Sequence, residues 1–172
     1  MDIFGQLPGD PGKIVDEIKR EVRRLVKDGR PDWNGKIKEV LRNLGKRNDY
    51  LVYPDPERKD RAWLLDVIWL DKNTGAIRLA AESELGTKEE VLDDFQKLLC
   101  IKAPLKIMIY YVYKKSFMEK FAGYIKDFDQ HVKGERYLLI EFARGPADCA
   151  YLYQVPNHGR LAKVEFRLLQ GH

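Results

Sequence analysis

The chain has 172 residues, 44% of them apolar, which is enough for one substantial core, so a single domain spanning residues 1–172 is predicted. No apolar run approaches the roughly 20 residues of a membrane-spanning helix, and the first residues lack the basic start and apolar core of an export signal. The prediction is therefore a cytoplasmic protein without membrane insertion. Cys100 and Cys149 belong to no disulfide or zinc pattern and are expected to be buried.

The net charge of +4 is too mild to imply nucleic acid by itself, but its distribution is uneven. Residues 1–47 contain 12 Lys or Arg and 8 Asp or Glu, whereas the remaining chain has 19 of each. The basic excess fits two solvated amphipathic helices, and it also fits helices that contact phosphates.

Two helices are predicted at the N-terminal end. The first starts at Asp10-Pro11, has apolar residues at helical spacing and ends near Gly29. Asn34 is the predicted N-cap of the second helix, which closes near Gly45.

Strands dominate the rest of the chain. They are predicted at residues 50–53, 62–70, 77–85, 105–113, 136–143, 149–155 and 161–169. Capping-box spacing at Thr87–Glu90 and Ser116–Glu119 predicts one helix on each side of the 105–113 strand. The strand, helix, strand order predicts a right-handed crossover, so that strands 77–85 and 105–113 lie parallel in a mixed sheet.

Three acidic residues fall on the predicted central strands. Alternation places Asp66 among aliphatic neighbours and puts Glu82 and Glu84 together on one face of the next strand. If the hairpin register brings that face over Asp66, three carboxylates converge, and their mutual repulsion raises their pKa values unless a cation lies among them. Mg²⁺ or Mn²⁺ is the expected occupant, because these hard ions prefer oxygen ligands.

A structural interpretation of the same acids stays open. Glu82 and Glu84 fit a solvated strand face with Arg78 as their ion-pair neighbour, and Asp66 fits a loop cap or an ion pair with Lys or Arg. The spacing does not decide between this interpretation and a metal site.

The order of elements resembles the PD-(D/E)XK, or restriction-endonuclease-like, superfamily. This order is a helix, a strand with Asp66, a strand with Glu82-Ser83-Glu84, a crossover helix with Gln96 and a further strand. The resemblance covers roughly residues 34 to 113. It implies an α/β fold with an αβββαβ core, an extra N-terminal helix, and a C-terminal helix plus strands. It also implies metal-dependent phosphodiester hydrolysis, with Asp66 and Glu82 as metal ligands.

Two positions depart from the family motif. Leu65 precedes Asp66 where the motif has proline, and Glu84 stands where most members have lysine. Some restriction enzymes carry the same Glu-x-Glu variant. A lysine from elsewhere is therefore expected to complete the site, Lys106 first, with Lys88 and Lys97 as weaker candidates.

A supporting acid from the preceding helix is the family's frequent addition. Glu39 is the only acid in the matching helix, and helical angles place it opposite the apolar stripe, so it is not expected to reach the metal. Gln96 resembles a supporting polar residue in some relatives, but an exposed helical glutamine fits equally well.

Two functions follow from these residues. The first is a nuclease that hydrolyses DNA, in which Asp66 and Glu82 bind Mg²⁺ or Mn²⁺ and Glu84 or Lys106 orients or deprotonates the attacking water. Glu82→Ala is then expected to remove activity and leave the fold intact, because it relieves repulsion. The alternative is an inactive module of the same fold that binds nucleic acid or a protein partner. The sequence leaves a homodimer open.

Overall fold

The computed structural model of the chain describes residues 11–27, 32–58, 64–112, 116–132, 134–143, 149–155 and 162–167. Four α-helices lie within these ranges: α1 (Pro11–Lys27), α2 (Trp33–Arg47), α3 (Lys88–Cys100) and α4 (Met118–Asp127). The same ranges contain seven strands: β1 (Leu51–Tyr53), β2 (Val67–Leu70), β3 (Ile77–Glu84), β4 (Leu105–Val112), β5 (Arg136–Ala143), β6 (Cys149–Gln154) and β7 (Ala162–Arg167). Among the described helices, none combines the length and the apolar content needed to cross a membrane.

The strands form one mixed sheet whose spatial order follows the chain from β1 to β7. Parallel pairing joins β3 to β4 across α3 and β4 to β5 across α4, and the other neighbours pair antiparallel. The predicted α/β class with a mixed sheet is confirmed. Because β2 runs antiparallel to β3, the start of β2 lies beside the carboxyl end of β3.

Helices cover both faces of the sheet. Side chains of α1 and α2 pack with one set of strand residues, which includes Ala81, Ile107 and Leu138. Side chains of α3 and α4 pack with the alternate set, which includes Met108 and Leu139. Since successive strand residues point to opposite faces, strands buried on both sides are mostly apolar.

Strand β2 is shorter than predicted. It begins at Val67 instead of Ala62, Leu64 to Asp66 form a bend, and the Leu64 side chain is 69% exposed. Pairing with β3 stops here because the Ser83 N–H donates to the Asp66 carboxylate instead of to a backbone carbonyl. Asp66 therefore lies in the turn before the strand and not inside it.

The helix boundaries correct two predicted caps. Asp32, not Asn34, caps α2, and its carboxylate accepts the Gly35 N–H at 3.3 Å. The helix continues two residues beyond Gly45, to Arg47. Gly45 packs closely against Trp69, because a Cβ at this position would lie 2.6 Å from the indole Nε1.

Only one predicted capping box forms. The Thr87–Glu90 box at α3 is present in full, which confirms that prediction. At α4, Phe117 is the N-cap residue and makes no side-chain cap. The Ser116 hydroxyl instead donates to Glu141 at 2.6 Å and accepts the Met118 N–H.

The prediction that both cysteines are buried is wrong for Cys100. Its side chain is exposed at the end of α3. The side chain of Cys149 lies outside the described part of the structure.

Candidate functional site

Asp66 and Glu82 meet where β2 begins and β3 approaches its carboxyl end. The Asp66 N–H donates to Glu82 Oε2 at 3.1 Å, and the Ser83 N–H donates to Asp66 Oδ2 at 2.9 Å. Each acid thus accepts a backbone N–H from the neighbouring segment. These two bonds hold the carboxylates side by side and leave Asp66 Oδ1 and Glu82 Oε1 for other partners.

A lysine approaches this pair from each helical layer. Lys38 of α2 places its Nζ 2.7 Å from Asp66 Oδ1. Lys97 of α3 places its Nζ 3.7 Å from Glu82 Oε1 and 2.5 Å from Asp94 Oδ1. The cluster therefore combines three carboxylates with two ammonium groups, and we call these five residues the acid–lysine site.

Glu82 is buried at the base of the site, whereas the two lysines are partly exposed to solvent. The Glu82 side chain is 3% exposed, whereas Asp66, Lys38 and Lys97 are 23%, 26% and 36% exposed. Glu82 therefore does not lie on a solvated strand face. Its proposed neighbour Arg78 instead forms an ion pair with Asp71 at 3.0 Å. A ligand entering from solvent would meet the lysines and Asp66 first and Glu82 at the base.

Burial and neighbouring charges change the acidity of two groups in the site. Burial, with repulsion from Asp66 and Asp94, raises the pKa of Glu82 to about 8, and Lys97 opposes this shift. The hydrogen bond to Asp94 raises the pKa of Lys97, although burial works against it. Lys97 thus remains an ammonium at neutral pH, where most of the Glu82 population holds its proton in the absence of a cation.

Glu82 provides the test of whether a divalent cation fits here. Its Oε1 is a buried oxygen with no hydrogen-bond partner among the described residues. Within that part of the chain, no group of three or more His, Cys, Asp or Glu is arranged to hold a metal ion. Mg²⁺, however, usually takes only one or two protein carboxylates and completes its shell with water and phosphate oxygens. Asp66 and Glu82 fit that smaller donor set.

Glu84 follows Glu82 on the same face of β3 but makes a local contact. Its Oε1 accepts the Gly86 N–H at 2.6 Å in the loop before α3. Among the described contacts, no hydrogen bond or ion pair joins Glu84 to Asp66 or Lys97. The structure thus brings together two of the three predicted acids and leaves Glu84 at the rim.

Lys106 lies away from the acid–lysine site. It is opposite Ala80 in the parallel register, one pleat before Met108, which pairs with Glu82. Its buried Nζ contacts Glu135 at 3.0 Å, the Tyr137 hydroxyl at 2.9 Å and a backbone carbonyl of α3. Two strand residues span roughly 6.6 Å. Lys106 therefore lies about that far along the strand from the position opposite Glu82. Of the three lysines predicted to complete the site, Lys97 contacts Glu82, whereas Lys106 contacts Glu135.

The remaining candidates are on the surface. Lys88 and Gln96 of α3 are exposed, and Glu39 of α2 is exposed as expected. Glu39 lines a cleft of about 420 Å³ between α2 and the turn that follows β1.

Lys38, Asp94 and Lys97 carried a weak signal in the sequence. All three flank the apolar stripe of an amphipathic helix, and Asp94 and Lys97 are three residues apart, so they share a helix face. Such flanking charges are common at helix borders. Their convergence on Asp66 and Glu82 depends on packing of two helices on opposite faces of the sheet.

Comparison with known proteins adds no assignment to this geometry. No protein-family model, curated protein or solved structure matches the chain.

Proposed function

We propose that the protein is a metal-dependent nuclease that hydrolyses phosphodiester bonds in DNA. Asp66 and Glu82 would hold Mg²⁺ or Mn²⁺ at the base of the acid–lysine site. The observation that carries this proposal is Glu82 Oε1, a buried oxygen beside the Asp66 carboxylate that has no hydrogen-bond partner among the described residues. The element order α2-β1-β2-β3-α3-β4 around it is the order of the restriction-endonuclease-like core.

The chain's own residues would divide the chemistry. When bound, the ion supplies an activated water and neutralises charge on the phosphate. Lys97 stays protonated because of Asp94, so it would stabilise negative charge developing on the phosphate and not remove a proton. Glu84, on the same strand face as Glu82, is the remaining candidate for orienting the water. In this assignment Lys97 takes the role that most family members give to a strand lysine.

A polyanionic substrate is supported by the composition of α2. The helix carries five basic residues against one acidic residue, and one of the five, Lys38, reaches the site. Within the described residues, Lys36 and Arg42 of the same helix form no ion pair. Lys38 and Arg42 are four residues apart and therefore share a face of the helix. Cations along one helix face suit a nucleic-acid backbone better than a small phosphate ester.

The runner-up is an inactive module of the same fold that binds nucleic acid or a protein partner. One observation favours it: Lys38 pairs with Asp66 and Lys97 with Asp94, so the site is largely neutralised without a metal. A neutralised site has less need of a divalent ion. The basic face of α2 would still bind phosphates.

A cleavage assay with matched variants separates the two functions. Purified protein is incubated with single-stranded and duplex DNA in Mn²⁺, with and without chelator, and compared with Glu82→Gln and with Glu39→Gln, a control on the exposed face of α2. The nuclease proposal expects chelator-sensitive cleavage that falls at least about 100-fold in Glu82→Gln and persists in Glu39→Gln. Binding without cleavage by folded wild-type protein supports the inactive module instead. Neither binding nor cleavage contradicts both the nuclease and a DNA-binding module.

A further inference from the structure

The ion pair between Lys38 and Asp66 occupies the oxygen that a metal would need. We propose that Lys38 holds the place of the cation in the metal-free protein and becomes the phosphate-binding residue once the metal displaces it. The inference rests on the proposed function. The inference adds an order of events to that function: metal and DNA bind with positive cooperativity, and one lysine couples the two ligands.

Asp66 offers only one oxygen for this competition. Its Oδ2 accepts the Ser83 N–H at 2.9 Å, a bond that closes the end of β2 on β3. Its Oδ1 is the outward oxygen, and the Lys38 ammonium contacts it at 2.7 Å. Glu82 has the same division, because Oε2 accepts the Asp66 N–H and Oε1 has no hydrogen-bond partner among the described residues. A cation shared by both acids would therefore lie between Asp66 Oδ1 and Glu82 Oε1.

Lys38 and a divalent ion cannot both stay at Asp66 Oδ1. Mg²⁺ binds carboxylate oxygen at about 2.0–2.1 Å, so an ammonium on the same oxygen would lie within a few ångströms of a double positive charge. Repulsion at that distance is strong in a partly buried site. The side chain of Lys38 is 26% exposed and extends from a surface helix, so it can swing toward solvent without opening the core.

A phosphate of the substrate would be a new partner for the displaced ammonium. The ammonium would remain at the mouth of the site, on the helix that carries Lys36 and Arg42. A phosphate bound next to the ion would supply the lost negative charge. Metal binding thus releases Lys38 for the DNA, and the DNA compensates for the broken Lys38–Asp66 pair, which makes the two affinities mutually reinforcing.

A purely structural Lys38 predicts a different pattern. If the pair only anchors α2 to the start of β2, removing the lysine lowers stability and leaves an unpaired Asp66 without changing how metal and DNA affect each other. The distinguishing readout is therefore the coupling between the two ligands and not the loss of either one.

The test measures Mn²⁺ affinity, with and without a phosphorothioate-backbone duplex, for the wild-type protein, Lys38→Met and the control Lys126→Met, which changes an exposed cation of α4. We expect Lys38→Met to bind Mn²⁺ about tenfold tighter than wild type without DNA. The duplex should raise the Mn²⁺ affinity of the wild type and of Lys126→Met at least about fivefold, and raise that of Lys38→Met much less. Equal Mn²⁺ affinity in wild type and Lys38→Met, or unchanged coupling, overturns the role of Lys38 alone. Failure of all three folded proteins to bind Mn²⁺ overturns the metal-dependent function itself.

Discussion

Asp66 and Glu82 are joined by a hydrogen bond from the Asp66 backbone N–H to Glu82 Oε2 at 3.1 Å, and Asp66 in turn accepts the N–H of Ser83, the residue after Glu82. Both acids therefore support the local backbone as well as forming the candidate metal site. Substitutions that remove the acceptor oxygen disturb the end of β2. Those that keep it test the charge by itself.

The first prediction separates these two roles at Glu82. Glu82→Ala leaves the Asp66 N–H without its acceptor in a buried position, so we expect a loss of ~1–3 kcal/mol in the free energy of unfolding. Glu82→Gln keeps an acceptor and should be nearly neutral at pH 6. Urea denaturation of the three proteins makes the comparison, and an alanine variant as stable as wild type would contradict it. The Asp66 N–H bond to Glu82 thus changes the sequence-based prediction that Glu82→Ala leaves the fold intact.

The second prediction concerns pH. The pKa of Glu82 is raised to about 8, so between its unfolded value near 4.5 and pH 8 the folded state holds a proton that the unfolded state has lost. Stability should therefore fall as the pH rises through this window, by on the order of a few kcal/mol in the metal-free protein. Glu82→Gln cannot ionise and should lack this contribution to the slope. Denaturant midpoints from pH 5 to pH 9 measure it, and parallel curves for the two proteins would refute the assignment.

The third prediction is that Mn²⁺ stabilises the folded protein. At a concentration 100 times its dissociation constant, an ion that binds only the folded state adds about 2.7 kcal/mol, which corresponds to a rise of roughly 5–10 °C in Tm. Asp66→Asn keeps an acceptor for the Ser83 N–H but loses the charge, and should abolish most of the rise.

The same thermal experiment has a pH control. Because Glu82 must release its proton to bind the ion, the Mn²⁺ shift should be larger at pH 8 than at pH 6. Glu39→Gln should respond as the wild type does, since Glu39 is exposed outside the site. A full response in Asp66→Asn would place the ion elsewhere.

The fourth prediction concerns the lysine of the site. Lys97→Met removes the ammonium next to Glu82 and should lower DNA cleavage about 100-fold with little loss of Mn²⁺ affinity. The exposed Lys88, at the start of the same helix, supplies the control variant Lys88→Met. Adding Glu84→Lys to Lys97→Met restores the commoner strand lysine of the family motif and should recover part of the activity. Full activity in folded Lys97→Met would exclude a role for this lysine.

The fifth prediction is that Lys106 stabilises the fold and takes no part in catalysis. Lys106→Met leaves Glu135, which is 2% exposed, without its ammonium partner, and should cost about 3–5 kcal/mol of stability. Replacing both residues by apolar ones should recover much of that loss. Cleavage per folded molecule should stay near the wild-type value in both variants. A folded but inactive Lys106→Met would show that Lys106 is needed for catalysis.

Local sequence signals predicted the elements well, whereas the completed site depended on contacts that they do not contain. The Thr87–Glu90 capping box lies within four residues and was predicted correctly. The start of β2 was misplaced because the Asp66 carboxylate takes a backbone N–H from a residue 17 positions later. Such a contact leaves no trace in the hydrophobic pattern.

The choice between the two lysines shows the same limit. Lys106 was chosen because it lies on the strand predicted to run parallel to β3. The strands are parallel, but their register places Lys106 opposite Ala80 and not opposite Glu82. Lys97 and Lys38 reach the acids through helix packing on opposite faces of the sheet. Neither register nor packing can be read from spacing along one chain.

The most direct test of the central claim is to locate Mn²⁺ by anomalous X-ray scattering in crystals of the protein soaked with the ion. We predict a peak within coordination distance of Asp66 Oδ1 and Glu82 Oε1, with the Lys38 ammonium moved off Asp66. Absence of a peak at these two oxygens under saturating Mn²⁺, with the Lys38–Asp66 ion pair still in place, would contradict it.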